Sequence, residues 1–350
     1  MHPSLLHHNT FGIDATCERF VEYSSVDELL NLLPDIVADG QRWLHIGGGS
    51  NLLFLNQHYD GTILHSRIKG IEVCDEDDES VLLRVGAGED WDEFVAHCIA
   101  QGWYGLENLS FIPGEVGASA VQNVGAYGTE AGNMIETVEG VLIGSRGAGA
   151  DNKEEALHLT TTVIDHEDCE YKYRSSIFKH ELKGRFIVTH VWYRLNKTFA
   201  PVMTHAAIER LLNDKGIAPT DSTAEIVRQA IIEIRKAKLP DPKEIGSAGS
   251  FFMNPVVPQE VADRLLEQYP SMPHYPAPDG VKIPAGWLIE QCGWKGKQQG
   301  RAGVHPQQAL VIINCGGATG EDIEHLAFTI QADVRKKFGI EIHPEVLFIQ

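Results

Sequence analysis

The feature that most restricts this chain is a run of small residues. From Leu109 to Gly128 it is dense in Gly, Ala, Ser, Asn and Pro. Such a run cannot fill the buried face of a regular element, so it reads as a long special loop with its backbone amides exposed to whatever lies against it. Two shorter clusters precede it. Gly47-Gly48-Gly49 ends the apolar strand Trp43 to Ile46, and Gly86-Ala87-Gly88 ends the strand Val81 to Val85. Glycines let successive N–H groups converge on an anion, and Ser50 and Asn51 add side-chain donors to the first cluster. In the long loop, Pro113, Gly114 and Gly117 are followed by Gln122, Asn123, Gly125, Ala126 and Tyr127, which offer hydrogen bonds and an aromatic face to a large flat ligand. Each cluster alone is equally well a tight turn between core strands. Three of them before residue 130 favour a dinucleotide. A Rossmann fingerprint is excluded, because Leu52 falls where its third glycine belongs, and a Walker A loop lacks its Gly-Lys-Ser/Thr.

The remaining pattern alternates strands and helices. Ser25 with Glu28 predicts a capped helix through Leu29, Leu30 and Leu33. Trp91, Phe94, Val95, Cys98 and Ile99 follow helical spacing toward Gly102 as C-cap. Gly144 to Glu155 reads as a solvated excursion, and Ile187 to Tyr193 as a strand. Ser222 with Glu225 predicts a second capped helix, with Ile226, Val227, Ala230, Ile231 and Ile234 on one face. Leu239-Pro240-Asp241-Pro242 stops it and places a domain boundary there. Beyond it lie a helix start near Ala285, a strand from Ala309 to Asn314, a helix from Glu321 to Phe338, and a strand-like end from Ile340 to Ile349.

A chain of 350 residues exceeds one ordinary core and suggests two or three domains. A formal charge of −20 argues against nucleic acid and anionic membrane as partners, so an anionic ligand has to be held by local donors. The six cysteines are scattered and read as reduced thiols of a cytoplasmic protein. No leader, membrane span or metal site is expected.

Ordered blocks run nearly end to end: Asn9-Thr10-Phe11, Gly48 to Leu53, Gly105 to Leu109, Ile112-Pro113-Gly114, Gln122 to Gly128, Tyr173 to Lys179, Gly246 to Phe252, Ala285 to Glu290, Val304-His305 to Ala309, and Pro344-Glu345-Val346. In order and spacing they resemble the UDP-N-acetylenolpyruvoylglucosamine reductases, in the subgroup whose substrate loop carries a tyrosine. That resemblance implies an α+β protein. Its FAD-binding domain is of the vanillyl-alcohol-oxidase (PCMH) type in two α/β subdomains, residues 1–72 and 73–236. An α+β UDP-sugar-binding domain, 237–340, follows, and a C-terminal strand, 341–350, returns Glu345 to the active site. The resemblance further implies a monomer with non-covalent FAD on the glycine loops, NADPH as hydride donor, and UDP-N-acetylglucosamine enolpyruvate as substrate, in peptidoglycan precursor synthesis.

The chemistry so implied moves hydride to an enol ether conjugated to a carboxylate. It therefore needs donors at that carboxylate and a positioned acid. Ser250 matches the family's proton donor, Arg174 its carboxylate-binding arginine, and Glu345 the group that helps polarise the enol intermediate. Without the resemblance, these three read as a turn serine, a surface arginine and an outward strand residue. Tyr173, Lys238, Asn254, His305 and Gln308 match substrate positions. Arg235 and Lys236, beside Lys238, read equally as a helix end favoured by its dipole. Three residues depart from the pattern: His205 stands where the loop tyrosine belongs, Met253 replaces a lysine after Phe251-Phe252, and Ala120 replaces a common proline. Two alternatives remain at this stage, an FAD-dependent sugar or alcohol oxidase of the same fold and a non-catalytic flavin or UDP-sugar binding protein.

Overall fold

A computed structural model of the chain describes residues 2–38, 40, 42–145, 157–203 and 205–350. The α-helices among them are α1 (Val26–Ala38), α2 (Trp91–Gln101), α3 (Val116–Gln122), α4 (Ala206–Asp214), α5 (Ala224–Lys238), α6 (Gln259–Gln268), α7 (Ala285–Gln291) and α8 (Gly320–Phe338). Two compact units result. A central unit comprises residues 18–48 and 60–235, and a terminal unit comprises residues 1–17, 49–59 and 236–350. They cut across the four segments expected above, because residues 1–17 and 49–59 pack with the C-terminal third. Most of the expected excursion, from residue 146 onward, lies outside the described residues.

The central unit is built on a five-stranded antiparallel sheet. Its order is Leu157–Asp165, Ile135–Ser145, Phe186–Asn196, Ser80–Gly86, Ile71–Glu76. Successive side chains of a strand face opposite ways. Accordingly Ile187 packs with Leu29, Leu33 and Ile36 of α1, whereas Val188 packs with Trp91 and Phe94 of α2 and Val116 of α3. Both faces are thus covered. The fully buried Trp91, Phe94 and Tyr193 form an aromatic cluster, with 5.1 Å between the centroids of Phe94 and Tyr193. Burying each such ring stabilises the fold by roughly 2–3 kcal/mol. A second, smaller core joins Ile208 and Leu212 of α4 to Val227, Ile231 and Ile234 of α5.

Capping follows the sequence at most ends. The Ser25 hydroxyl accepts from the Glu28 N–H, and the Glu28 carboxylate accepts from the Ser24 N–H. Gly102 closes α2 at φ 77°. The start of α5 differs from expectation: Thr223 Oγ1 accepts from the Ile226 N–H, while the Ser222 hydroxyl donates backward to the Pro219 carbonyl. The long small-residue run is also more regular than expected. Residues 116–122 form α3, possible because Val116, Ser119 and Ala120 bury a narrow face against the sheet.

In the terminal unit one sheet has the order Ser247–Ser250, Val311–Asn314, Ala302–Val304, Gln298–Gln299. Helix α8 buries Ile323, Leu326, Ala327, Ile330, Val334 and Phe338, which is the stripe its spacing predicts, and a reciprocal Thr319–Asp322 capping box starts it. The strand-like end is only partly a strand. Leu347–Ile349 runs parallel to Leu52–Phe54, with Leu347 opposite Leu52. Gly49 is obligatory in the connection before that strand, since it has φ 70° and a Cβ there would lie 2.0 Å from the His8 carbonyl oxygen.

Candidate active site

The glycine loops meet in the central unit. A Cβ added to Gly48 would lie 3.5 Å from the Gly114 Cα, and one on Gly47 would lie 3.2 Å from the Ala118 Cβ. Gly48 and Pro113 are exposed beside this contact, which leaves a strip of bare backbone at the surface. The third cluster has another purpose. Cβ atoms on Gly86 and Gly88 would strike the Ile68 and Ser66 carbonyls at 2.4 and 2.6 Å, so these glycines serve strand packing.

The segment Leu109 to Val116 is pinned from α2 and the residues before it. The Trp91 indole donates to the Leu109 carbonyl, the Trp91 N–H to the Gly114 carbonyl, and the Val116 N–H to the Glu89 carbonyl. The Phe111 N–H donates to Asp92 Oδ1 at 2.5 Å, and Arg235 Nε donates to the Phe111 carbonyl at 2.9 Å. Arg228 holds Asp92 through both carboxylate oxygens, at 2.6 and 3.0 Å. Phe111 therefore sits at φ 60°, a left-handed conformation that costs a non-glycine residue roughly 1 kcal/mol or more. Asn123, Tyr127 and Arg174 are left-handed as well, at φ 44°, 50° and 56°. Strain of this kind gathers where geometry matters to function. Composition shows the small residues here but gives no sign of Asp92 and Arg228.

Arg174 occupies the corner of a short hairpin whose ends, Lys172 and Ser175, exchange both backbone hydrogen bonds. Its Nη2 donates to the Gly125 carbonyl at 2.6 Å, its guanidinium lies 5.2 Å from the centre of the exposed Tyr173 ring, and its own carbonyl accepts from Lys179 Nζ. Lys179 also reaches Gln122 Oε1. The Asn123 side chain is directed inward: it donates to Glu130 and the Lys172 carbonyl and accepts from the Gly132 N–H. Asn108, not singled out from sequence, donates to the Tyr127 and Val202 carbonyls. His205 caps α4 through Nδ1 and meets the Tyr127 ring edge-on, at 4.9 Å. Burial raises the Tyr127 phenol pKa, and Arg235 opposes that rise.

Beneath the first glycine loop is a buried histidine. His65 Nε2 pairs with Glu115 Oε1 at 2.8 Å, and Nδ1 with Glu22 Oε1 at 3.2 Å. Burial works to lower the His65 pKa, but the two carboxylates outweigh it and the net shift is upward. Nearby, the Tyr23 hydroxyl lies 2.7 Å from His45 Nε2, and burial together with His65 lowers His45 to about 4.

In the terminal unit Ser250 ends an edge strand opposite Val311 and is exposed, while Phe251 and Phe252 after it are buried. The Glu345 N–H donates to the Phe251 carbonyl at 2.8 Å, Phe252 bridges to Pro344, and the Met253 N–H donates to the His343 carbonyl. Ser250 and Glu345 are thereby brought together from near the two ends of this unit's longest segment, residues 236–350, whereas Arg174 belongs to the central unit. Asn254 Oδ1 accepts from the Ala285 N–H at the start of α7. His305 and Gln308 form the turn before Val311–Asn314, and burial lowers the His305 pKa. Lys238, the last residue of α5, is exposed.

The bare strip between Gly48 and Gly114 and the left-handed loop residues suit a flat, diphosphate-bearing cofactor such as FAD. A family model described as FAD binding domain matches residues 17–145, and one described as UDP-N-acetylenolpyruvoylglucosamine reductase, C-terminal domain, matches residues 241–349. The UDP-N-acetylenolpyruvoylglucosamine reductase of Bacteroides fragilis is 51% identical over 348 residues, 99% of this chain and 98% of that protein. The protein of that name from Porphyromonas gingivalis is 46% identical, covering 97% of this chain and 96% of its own length. In fold, the chain is similar to the crystal structure of UDP-N-acetylenolpyruvylglucosamine reductase from Thermus caldophilus, with a TM-score of 0.65 at 22% identity, over 100% of this chain and 98% of that one.

Proposed function

The chain belongs to the UDP-N-acetylenolpyruvoylglucosamine reductase family, and from that premise we propose how its residues divide the reaction. The enzyme is an FAD-dependent oxidoreductase that reduces UDP-N-acetylglucosamine enolpyruvate to UDP-N-acetylmuramate with NADPH, a step of peptidoglycan precursor synthesis. Bound FAD would supply the hydride, drawn from NADPH, for the terminal carbon of the enolpyruvyl double bond. In our reading Gly47, Gly48, Gly49, Ser50, Pro113, Gly114 and Gly117 hold it without covalent attachment.

The rest of the chemistry belongs to side chains. As hydride arrives, negative charge grows on the substrate carboxylate, and Arg174 is the donor that meets it. A guanidinium stays charged and can bind a carboxylate through two parallel hydrogen bonds. Ser250 gives its proton to the carbon beside the carboxylate, which completes addition of H⁻ and H⁺ across the double bond. Glu345 stands next to it and steadies the enol character of the intermediate. The observation that carries this reading is the Glu345 N–H bond to the Phe251 carbonyl, which fixes Glu345 one residue from Ser250.

Lys238 and Tyr173 are assigned to the nucleotide-sugar, and residues 237–340 to its binding domain. Asn254, His305 and Gln308 shape that domain's turns and helix start. The protein acts as a monomer in the cytoplasm in this reading. No helix among the described residues is long and apolar enough to cross a membrane.

The test is Ser250→Ala under anaerobic conditions. NADPH should still bleach the flavin, and the enolpyruvyl substrate should no longer restore its colour. Normal turnover by that variant would remove Ser250 from the mechanism.

A further inference from the structure

Asn51 follows the first glycine cluster, where a side-chain amide is expected to serve a phosphate. Its amide has another partner. Asn51 Nδ2 donates to the Glu345 carbonyl at 3.0 Å, and the Asn51 carbonyl accepts from the Leu347 N–H, also at 3.0 Å. One residue thus brackets Glu345 and Leu347, across 294 positions of sequence.

On the other side, the Glu345 N–H is held by the Phe251 carbonyl at 2.8 Å. Both backbone polar groups of Glu345 are therefore fixed, one by Asn51 and one by the neighbour of Ser250. Pro344 restricts the preceding φ to about −65°. The direction of the Glu345 side chain from its Cα is set by this clamp. The antiparallel bridge between Phe252 and Pro344 serves the N–H side, but the parallel ladder with residues 52–54 begins only at Leu347 and leaves the Glu345 carbonyl to the Asn51 amide. Without the Asn51 amide, the Glu345 carbonyl loses that donor and the peptide between Glu345 and Val346 is held less tightly.

We propose that Asn51 is a positioning residue for Glu345: its side-chain amide aims the glutamate at the reacting carbon and leaves the capture of cofactor to its neighbours. The proposal rests on the reading above in which Glu345 assists substrate reduction.

The experiment compares the two half-reactions in the flavin-loaded full-length enzyme. The parent, Asn51→Ala, Glu345→Gln and the double variant are each reduced with NADPH and then reoxidised with the enolpyruvyl substrate, followed by flavin absorbance across pH. Asn51→Ala should keep its flavin, bleach with NADPH within about twofold of the parent, and reoxidise about tenfold more slowly, the worth of one partly buried hydrogen bond. In the Glu345→Gln background the same change should slow reoxidation no further, because the group it aims is already gone. Equal slowing of both half-reactions, or additive effects in the double variant, would overturn the proposal. If Asn51→Ala loses flavin, Asn51→Gln, which keeps the donor, is measured at saturating FAD. Loss of flavin there too, or normal reoxidation, makes the amide a cofactor ligand and also overturns it; slow reoxidation alone sustains it. Unchanged reoxidation in Glu345→Gln itself would instead sink the role given to Glu345.

Discussion

The Arg174 guanidinium and the Gly125 carbonyl are joined by a 2.6 Å hydrogen bond, and the fit leaves no room for a side chain on Gly125. A Cβ there would lie 2.8 Å from Arg174 Nη1. The glycine loop and the arginine hairpin, 49 residues apart, therefore position one another. This links the expected cofactor surface to the group assigned to the substrate carboxylate.

Gly125→Ala should displace the guanidinium with little loss of fold. Substrate reduction should fall by about tenfold or more in kcat/KM, the effect of a charged hydrogen bond moved out of place. Steady-state kinetics with the enolpyruvyl substrate would check this, and values within twofold of the parent would count against it.

Arg174→Lys keeps the charge and loses the planar fork that a carboxylate matches. We expect kcat/KM lower by roughly two orders of magnitude, with flavin bleaching by NADPH nearly unchanged. Stopped-flow measurement of the two half-reactions separates these.

Asp92→Ala removes the acceptor of the Phe111 N–H and leaves Arg228 unpaired in a partly buried site. A stability loss of about 2 kcal/mol is expected, below the range for a fully buried pair because both side chains retain some exposure. Chemical denaturation would measure it, and flavin retention on gel filtration should fall in parallel. An Asp92→Ala/Arg228→Met double variant should recover part of the stability, since no uncompensated charge remains.

His45 gives a pH dependence with a definite sign. Burial and His65 lower its folded pKa to about 4, below its unfolded value of about 6.5. A base lowered on folding stabilises the native state above its unfolded pKa, and that stability is lost as pH falls toward about 4. Between pH 6.5 and 5.5 the loss is on the order of 1 kcal/mol. His65, shifted upward, works the opposite way and is fully favourable only below its unfolded pKa. His45→Gln isolates the first effect: its melting temperature should fall less than the parent's over this interval. Parallel curves for the two proteins would remove His45 from the account.

Helix faces and caps in this chain were legible because each depends on residues close in sequence. The stripe from Ile323 to Val334 in α8 and the Gly102 cap are examples. The C-cap and core of α2 were equally plain. Thr223 displaced Ser222 as cap because the Ser222 hydroxyl found the Pro219 carbonyl first. Helix α3 was hidden by its own glycine and alanine, which read as a loop until a sheet face is present to pack them. The expected site residues came from ordered motifs, which carry no sign of what supports them. Asp92, Arg228 and Lys179 carry no local signal, since a charged residue on a helix or hairpin looks the same whether it faces water or clamps a distant backbone group.

The parallel pairing of Leu52–Phe54 with Leu347–Ile349 sets a timetable for the enzyme's birth. The ribosome delivers one partner early and the other only with the last few residues of this sequence. Until residues 345–349 emerge, neither the Asn51 and Phe251 contacts to Glu345 nor the parallel pairing just beyond them can form. A chain cut short before this strand lacks that pairing however well its glycine loops have formed.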